Sequence, residues 1–443
     1  MMMKLRNIVF ALALPAMAAG AQQRWTLDDC MRYAVAHNFD VRSAEISHSN
    51  DRSDYRNAVG GFLPSVGASI GLTGNFGRSI DPATNTYDNL RTLSNSYGVS
   101  LSWTLFDGGR MINDFKEAKA RRSMSEKAID SSRDDVAITV MDAYVNLQYY
   151  GELLKITEAK KEESRLLLQK TRRMKELGMK SAVEVSQAAA QFADDDYTHI
   201  NTVSNFVKAN LALKTAMNYP IADSLALSAS VDSIPIGILR GASDIFEFAK
   251  LHNPKMQQAR LNEQSATYAL RSAKGSYAPT ISLEAGISDY YYTHAGASNL
   301  PFGKQMDVNL GQYVGVSVSI PIFDGFSRAS TVGKAKNAQL EARLNYDRKL
   351  YELQSGIEQA VADCRSLALE TDKMRSKVAA DSIAYSLSRR KYEEGLMSFP
   401  DLQTSANSWY ASQAELLKAT LLYAVKLRLV DYYATNELIR DEK

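Results

Sequence analysis

The side chains that could carry catalysis or bind a metal are scattered along this sequence. No cluster of His, Cys, Asp or Glu has the spacing of a metal site, and the five histidines stand apart: His37, His48, His199, His252 and His294. The glycines at 67, 71 and 74, which include the Gly-x-Ser-x-Gly spacing of 67–71, lie in a strand pattern and do not precede a helix, and no glycine-rich phosphate loop is present. The sequence therefore predicts neither an enzyme nor a cofactor-binding protein.

Two aspartates stand out because each follows a phenylalanine and precedes a glycine. The two Phe-Asp-Gly segments span 106–108 and 323–325, and a helical pattern begins just after each of them. A carboxylate just before a helix accepts hydrogen bonds from the free N–H groups of the first turn. We therefore expect Asp107 and Asp324 to cap helices and not to act as catalytic acids.

Composition narrows the class of protein further. The 443 residues carry a net charge of +2 without a long basic tract, so nucleic acid is not a predicted partner. The two cysteines, Cys30 and Cys364, lie in helical patterns near opposite ends of the chain. Two such thiols make no disulfide framework, and we expect both to be buried and free.

The N-terminus has the three parts of a secretory signal. Lys4 and Arg6 precede an apolar run over 8–19, and small residues follow at 19–21. A membrane anchor is the alternative, but a spanning helix needs about 20 apolar residues and this run is shorter. We therefore predict a signal peptide over 1–21 and export from the cytoplasm.

The remaining sequence contains an internal duplication. Pro64 recurs as Pro279, 215 residues later, and Gly178 recurs as Gly395, 217 residues later. The Phe-Asp-Gly segments recur with the same offset of 217. Landmarks in one order at nearly one offset predict a duplicated domain and not a solenoid of short repeats.

Each copy of the repeat has the same predicted anatomy: one helix, two strands and a long helical hairpin. The single helix covers about 26–59 in the first copy and about 244–277 in the second. The hairpins turn at Gly178 and Gly395, and the first long helix is interrupted near Gly151. The predicted divisions are signal peptide 1–21, first repeat 22–218 with strands at about 66–106, linker 219–243, second repeat 244–437 with strands at about 280–323, and tail 438–443.

The strands carry large apolar residues at every second position. In residues 94–106 the odd positions from Tyr97 to Leu105 are apolar and the even positions between them are small or polar, and 66–76, 281–291 and 311–322 repeat this alternation. Strands of about 10 residues with one apolar face cross a membrane when tilted. A soluble antiparallel sheet with one side on a core has the same pattern, but the predicted signal peptide favours the membrane.

Four strands are too few to close a barrel within one chain. The smallest membrane barrels have about 8 strands, and open sheet edges are not tolerated in lipid. Strands that span a membrane would therefore be shared among copies of the chain, in a number that the strand count leaves open. In this interpretation the polar loops at 80–93 and 294–310 lie outside and the helices lie on the periplasmic side.

The long helices extend beyond the size of a compact domain. A continuous helix over 110–177 spans about 100 Å at about 1.5 Å per residue. Helices of this length pack side by side as coiled coils. A solid rod and a hollow helical barrel both fit this pattern.

This order of elements resembles the TolC-type outer membrane efflux proteins. The resemblance covers the whole mature chain, and its most specific features are the Phe-Asp-Gly boundaries and the hairpin tips at Gly178 and Gly395. The implied fold class is mainly α with β, in an internally duplicated protomer of a homotrimer. Twelve strands would form an outer-membrane β-barrel, continued into the periplasm by an α-helical barrel. The implied function is a passive channel of a tripartite efflux pump or type I secretion system, in contact with outer-membrane lipid.

The resemblance also implies partners at the hairpin tips. A periplasmic adaptor protein and an inner-membrane transporter would dock there and open the channel. The implied docking residues are Leu177, Gly178, Ser181, Gly395, Leu396 and Ser398.

The gate residues implied by the resemblance are located by their distance from the tip glycines. Tyr392 matches the family's latch tyrosine, Glu184 an acidic partner that bonds it, and Asp401 the aspartate of the inner gate ring. Thr404 stands where some members have a second aspartate, and Met397 where some have a latch arginine.

Each gate residue also has a structural explanation. Three Asp401 carboxylates around a threefold axis would attract cations, but an acidic residue in the first turn of a helix is favoured anyway. Tyr392 could pack between helices, and an exposed helical glutamate such as Glu184 is commonplace. With Thr404 in place of a second acid, we expect weaker cation block than two acidic rings would give.

Two other classes of protein fit the same sequence. One is a periplasmic coiled-coil scaffold or adaptor with a small soluble β-domain, and the other is a surface-anchored structural protein. The transported substrate and the pump partner leave no recognisable motif.

Overall fold

The computed structural model describes residues 24–80, 85–228, 241–294 and 300–439. The predicted signal peptide, much of the predicted linker and most of the predicted tail lie outside these residues. The described elements are α1 (Leu27–His37), α2 (Phe39–Gly60), β1 (Ser65–Ile80), β2 (Tyr87–Phe106), α3 (Arg110–Glu176), α4 (Ala182–Met217), α5 (Ala242–His252), α6 (Pro254–Gly275), β3 (Thr280–His294), α7 (Phe302–Asn309), β4 (Gly311–Ser319), α8 (Ser327–Glu393) and α9 (Phe399–Thr435).

The helix that precedes the strands is broken in both halves, so the prediction of one helix in each was wrong. The breaks lie at Asn38 and Asn253, which have extended backbones. Each asparagine caps the following helix: the side chain of Asn38 accepts a hydrogen bond of 2.7 Å from the N–H of Asp40, and Asn253 accepts one of 3.0 Å from Lys255. Pro254 reinforces the second break because it cannot donate to the preceding turn.

The long helices are continuous. Both α3 and α8 have 67 residues, which corresponds to about 100 Å at about 1.5 Å per residue. The predicted interruption near Gly151 is absent, because this glycine lies inside α3 and faces the ring of Phe206 on α4. None of the helices in the described part of the chain combines the length and the apolar character needed to cross a membrane.

The four strands form one antiparallel sheet in the order β1-β2-β3-β4. The strands were predicted, but the loops between them are shorter than expected. β2 begins at Tyr87, inside the predicted loop 80–93, and α7 occupies part of the predicted loop 294–310. β4 ends at Ser319 and not at 322, because Pro321 has no N–H to donate to a ladder.

One face of the sheet exposes the apolar residues of the alternating pattern. Ile70 is 80% exposed and Val314 is 78% exposed, and no other element of the described chain covers them. A contiguous apolar face of this kind marks contact with lipid or with another protein. The predicted alternation therefore produces a lipid-compatible surface and not one side of a buried core.

The helix cores lie below the sheet and join α1, α3, α4 and α9. Cys30, Met31 and Val140 are fully buried in the first core, and Cys364 is fully buried in a second core with Ile357. Both cysteines are free, as predicted. Burial raises the pKa of the Cys30 thiol to about 12, which keeps it protonated and unreactive.

Polar contacts connect the two halves of the duplicated chain at the level of these cores. The hydroxyl of Tyr432 on α9 donates to Asp134 on α3 over 2.7 Å, and the side-chain amide of Asn253 donates to the same hydroxyl over 3.3 Å. Lys255 pairs with Asp135 at 2.5 Å. Arg428 on α9 forms an ion pair with Asp28 of α1.

Asp134 is expected to make stability depend on pH. Burial raises its pKa from 3.8 to about 6, although the hydrogen bond from Tyr432 opposes this shift. A carboxyl whose pKa is higher in the folded state stabilises the protein below its unfolded pKa, and this contribution is lost as pH rises through about 6. For a shift of this size the loss is about 2 kcal/mol, allowing for partial exposure.

The variant Asp134→Asn is therefore expected to gain stability relative to the parent chain between about pH 4 and about pH 8. Thermal melting of both proteins at the two pH values measures the difference. Asp54→Asn, a change at an exposed position of α2, is the control. Parallel melting curves for Asp134→Asn and its parent at both pH values would refute the assignment.

Candidate functional site at the hairpin tips

The two helical hairpins turn through the same backbone geometry. Hairpin tip 1 is residues 177–184 and hairpin tip 2 is residues 394–401. Gly178 and Gly395 have φ of +74° and +79°, which glycine adopts without strain. The following N–H groups reach back into the preceding helix, from Met179 to Met174 and from Leu396 to Lys391, each over 2.8 Å.

The returning helices begin with matching caps. Ser181 and Ser398 have extended backbones, and their hydroxyls accept hydrogen bonds from the N–H groups of Glu184 and Asp401. The acidic side chains reach back to the capping serines. This reciprocal arrangement fixes the direction of each returning helix.

Tyr392 is the most buried of the predicted gate residues, with 1% of its surface exposed. Its hydroxyl shares a hydrogen bond of 3.2 Å with Thr171 on α3. The Nζ of Lys180 lies 4.2 Å from the centre of its ring, and the ring of Phe399 packs edge-on at 6.0 Å. Tyr392 therefore joins α8 to α3 and hairpin tip 2 to hairpin tip 1.

Glu184 is linked to Tyr392 indirectly. Its carboxylate accepts hydrogen bonds from the backbone of Ser181 and the Nζ of Lys180, both over 2.9 Å. These bonds lower the pKa of Glu184 and keep it charged. Lys180 lies between Glu184 and the tyrosine ring, in place of the direct hydrogen bond that the resemblance implied. Lys180 is a contact that the sequence analysis missed.

Asp401 and Thr404 are exposed on one side of α9. Ser398 donates to the Asp401 carboxylate over 2.5 Å, and Thr404 donates to the carbonyl of Pro400 over 2.9 Å. Leu402, between them, is buried against the hairpin. Asp401 therefore lies in the first turn of α9 and holds the capping hydroxyl of Ser398, while its carboxylate remains accessible to another copy of the chain.

All six predicted docking residues are exposed. Leu177 is 73% exposed and Leu396 is 75% exposed, at the ends of the two hairpins. Large apolar side chains concentrated at such ends are typical of a protein-binding surface.

A cluster of polar side chains above hairpin tip 2 was not predicted. We call Glu163, Tyr385, Arg389 and Tyr410 the Glu163 cluster. Both tyrosine hydroxyls donate to Glu163, from Tyr410 over 2.5 Å, and Arg389 donates over 3.2 Å. The cluster connects α3 with α8 and α9. Tyr385 lies seven positions before Tyr392, which is about 10 Å along a helix.

The tyrosines of the Glu163 cluster are fixed as donors. Burial, together with the neighbouring carboxylate, raises the pKa of Tyr385 and Tyr410 well above the usual range. Glu163 stands next to Glu162, which pairs with Arg165 at the surface. The sequence alone does not distinguish the two glutamates. The partners of Glu163 lie more than two hundred positions away along the chain, whereas the partner of Glu162 lies one helical turn away.

Metal binding finds no support in the described ranges of the chain, where no group of three or more His, Cys, Asp and Glu side chains is placed to hold an ion.

The Phe-Asp-Gly aspartates act as helix caps, as predicted: Asp107 accepts from the N–H of Met111 and Asp324 from that of Arg328, both over 2.9 Å.

The chain is similar to bacterial outer membrane proteins over most of its length. It is 24% identical to the probable efflux pump outer membrane protein TtgC of Pseudomonas putida, over 89% of this chain and 81% of that protein. It is 23% identical to outer membrane protein TolC of Escherichia coli, over 96% of this chain and 85% of that protein.

Solved structures show the same fold. Outer membrane protein VceC from Vibrio cholerae superposes with a TM-score of 0.82 at 16% identity, covering 94% of this chain and 97% of that one. The CmeC outer membrane channel of Campylobacter jejuni superposes with a TM-score of 0.79 at 18% identity, covering 94% and 87%. The sequence profile of the outer membrane efflux proteins matches residues 31–219 and 247–428, one segment in each half. The chain therefore belongs to the outer membrane efflux protein family.

Proposed function

We propose that the chain is the outer-membrane channel of a tripartite efflux system, a passive conduit from the periplasm to the exterior. The observation that carries this proposal is the junction of a four-stranded sheet, apolar on one exposed face, with helices of 67 residues. The sheet suits the membrane and the helices suit a periplasmic tunnel. The relatives support it, because they carry the names of outer membrane proteins and efflux pump components.

The proposed assembly is a homotrimer. β1 and β4 are the outer strands of the sheet, and within the described residues no further strand pairs with their outer edges, an arrangement that a membrane does not tolerate. Three copies would give twelve strands in one barrel. The family profile and the related channel structures favour this arrangement over a periplasmic scaffold with a soluble β-domain.

The proposed partners dock at the hairpin tips. The exposed Leu177 and Leu396 give a periplasmic adaptor protein apolar side chains to bind at the ends of both hairpins. An inner-membrane transporter would supply the energy, since a passive conduit only transmits what is delivered to it. We also propose that residues 22–218 and 244–437 act as two structural repeats joined through the linker.

The proposed gate has two parts. Tyr392, with Thr171 and Lys180, holds hairpin tip 2 against the rest of the protomer. Asp401 from three copies forms one acidic ring at the closed end, with three charges because Thr404 adds none. Carboxylates held close together at a constriction attract cations, and a bound cation blocks the pore.

The test measures cation block of the purified channel in planar lipid bilayers. Asp401→Asn keeps an oxygen for the cap but removes the charge, so we expect block by a trivalent cation to weaken roughly tenfold or more. The matched variant Thr404→Asp adds a second ring and is expected to strengthen block. Absence of conductance in the parent protein would overturn the channel, and unchanged block in Asp401→Asn would overturn only the gate.

A further inference from the structure

On the edge of β3 that faces away from β2, the outer end of the strand is paired with a helix and not with a strand. β4 pairs with β3 from Thr280 to Ser288, and β3 continues to His294. Beyond Ser288, the side-chain amide of Gln305 on α7 accepts from the N–H of Tyr292 and donates to its carbonyl, each over 3.0 Å. These are the two hydrogen bonds that a facing strand residue would make.

Further contacts fix α7 in this position. The Asn309 side chain donates to the carbonyl of Tyr290 over 2.7 Å, and Gln305 also donates to the carbonyl of Leu300 over 2.9 Å. Gln305 is 2% exposed. The ring of Phe302 packs edge-on against Tyr291 at 5.3 Å. Helix α7 therefore occupies the position into which β4 would otherwise extend.

The two outer strands of the sheet, β1 and β4, differ in length, and the difference leaves part of β1 opposite α7 and not opposite β4. β1 has 16 residues and β4 has 9, so β1 is longer by seven residues. β1 follows α2 and β4 leads into α8, so both strands meet the helices at the same end of the sheet. The surplus of β1 therefore lies at the opposite, outer end, in about its last seven residues, 74–80.

We propose that α7 is the docking surface for residues 74–80 of β1 from a second copy of this chain, and that it closes the subunit junction where β4 stops. This inference rests on the proposed shared barrel, in which β4 of one copy meets β1 of the next. Nine β4 residues cannot pair with all sixteen β1 residues, so the backbone N–H and C=O groups at the outer end of β1 need another partner. At the outer end of β4, where the strand begins at Gly311, the neighbouring element is α7.

The exposed side chains fit this occupant. Val308 on α7 is 74% exposed, and Phe76 and Ile80 near the end of β1 are 82% and 48% exposed. These are apolar groups that a protomer alone leaves uncovered, and contact between copies would bury them. The junction would thus combine strand pairing at its inner end with helix-to-strand packing at its outer end.

Cysteine cross-linking of the full-length protein in membranes tests the junction. The double variant Val308→Cys/Ile80→Cys is expected to give covalent dimers and trimers on oxidation, and reductant should dissolve them. Each single variant should remain monomeric on a denaturing gel, because Cys30 and Cys364 are fully buried. The matched control Val308→Cys/Val66→Cys places the second thiol at the inner end of β1 and should not cross-link.

A second pair separates this inference from the proposed barrel. Val66→Cys/Val318→Cys joins the inner ends of β1 and β4 and is expected to cross-link between copies whenever the barrel forms. If this pair reacts and Val308→Cys/Ile80→Cys does not, the role of α7 is overturned and the channel stands. If neither pair reacts, both proposals are overturned.

The amide of Gln305 gives an independent measurement. Gln305→Ala removes both hydrogen bonds to Tyr292, so the cross-linking yield of Val308→Cys/Ile80→Cys should fall severalfold while that of the inner pair stays unchanged. Equal yields with and without Gln305→Ala would contradict a positioning role for this residue.

Discussion

Alanine at Gly108 is expected to disrupt assembly of the channel, while alanine at the corresponding Gly325 should cost only about 1 kcal/mol. The two glycines occupy equivalent positions of the Phe-Asp-Gly segments and have φ of +75° and +64°. They differ in surroundings. A Cβ at Gly108 would lie 2.3 Å from the carbonyl oxygen of Gly275 and 2.5 Å from the Cβ of Ala278, whereas Gly325 faces open space.

The crowding at Gly108 arises where two backbones cross. Gly108 leads from β2 into α3, and Gly275 ends α6 just before β3. The approach is mutual, because a Cβ at Gly275 would lie 2.8 Å from the carbonyl oxygen of Gly108. Backbone atoms cannot rotate away as a side chain can, so an added methyl group must displace the start of α3 or the end of α6. Such a shift costs about 3 kcal/mol or more and strains the register between β2 and β3.

Two measurements compare the glycine variants. One is the amount of heat-modifiable oligomer in the outer-membrane fraction, and the other is the melting temperature of the purified protein. Gly108→Ala should reduce both sharply, and Gly325→Ala should remain close to the parent. Equal behaviour of the two variants would show that the crossing of Gly108 and Gly275 is not limiting.

This contrast shows which parts of the fold were accessible from sequence. The turns, the caps of Asp107 and Asp324 and the four strands follow from local chemistry, and each was predicted. The sequence presents Gly108 and Gly325 as equivalents, because the crowding depends on a residue from α6, far away along the chain. The breaks at Asn38 and Asn253 were missed for another reason: the helical periodicity continues across them, and the capping role of one asparagine is a weak signal.

The candidate site likewise contains residues that were predicted from sequence and partners that were not. The resemblance gave the positions of Tyr392 and Asp401, and the structure places them at the tip of the second hairpin. Their partners were not predicted, because Thr171 lies 221 positions from Tyr392 and nothing in its sequence neighbourhood distinguishes it. Lys180 is one of many lysines until the fold brings it over the ring of Tyr392.

Removal of the Glu163 carboxylate is expected to loosen the closed end of the channel. Glu163→Ala leaves the buried hydroxyls of Tyr385 and Tyr410 without their acceptor and leaves Arg389 paired with Glu393 alone. Burying unpaired polar groups of this kind costs about 3 kcal/mol in total. The hydrogen bonds that are lost tie α3 to both helices of the second hairpin, just above Tyr392.

The expected results are a severalfold higher conductance of the unopened channel in planar bilayers and faster trypsin cleavage near the tips. Glu163→Gln retains one acceptor and should be intermediate. Glu162→Ala is the matched control, since its carboxylate pairs with Arg165 on the surface of the same helix, where an exposed pair contributes about 0.5 kcal/mol. Conductance and cleavage equal to those of Glu162→Ala would contradict the prediction.

Conductance and melting temperature, measured together on Glu163→Ala, separate an effect on the gate from an effect on folding. If Glu163→Ala lowers the melting temperature but leaves conductance unchanged, the Glu163 cluster stabilises the protomer without restraining the gate. If conductance rises while the melting temperature of the barrel is kept, the cluster acts on the tips alone. The second outcome follows from position: the cluster lies about 10 Å from Tyr392 along α8, far from the sheet, so its loss should free the second hairpin before it reaches the membrane end.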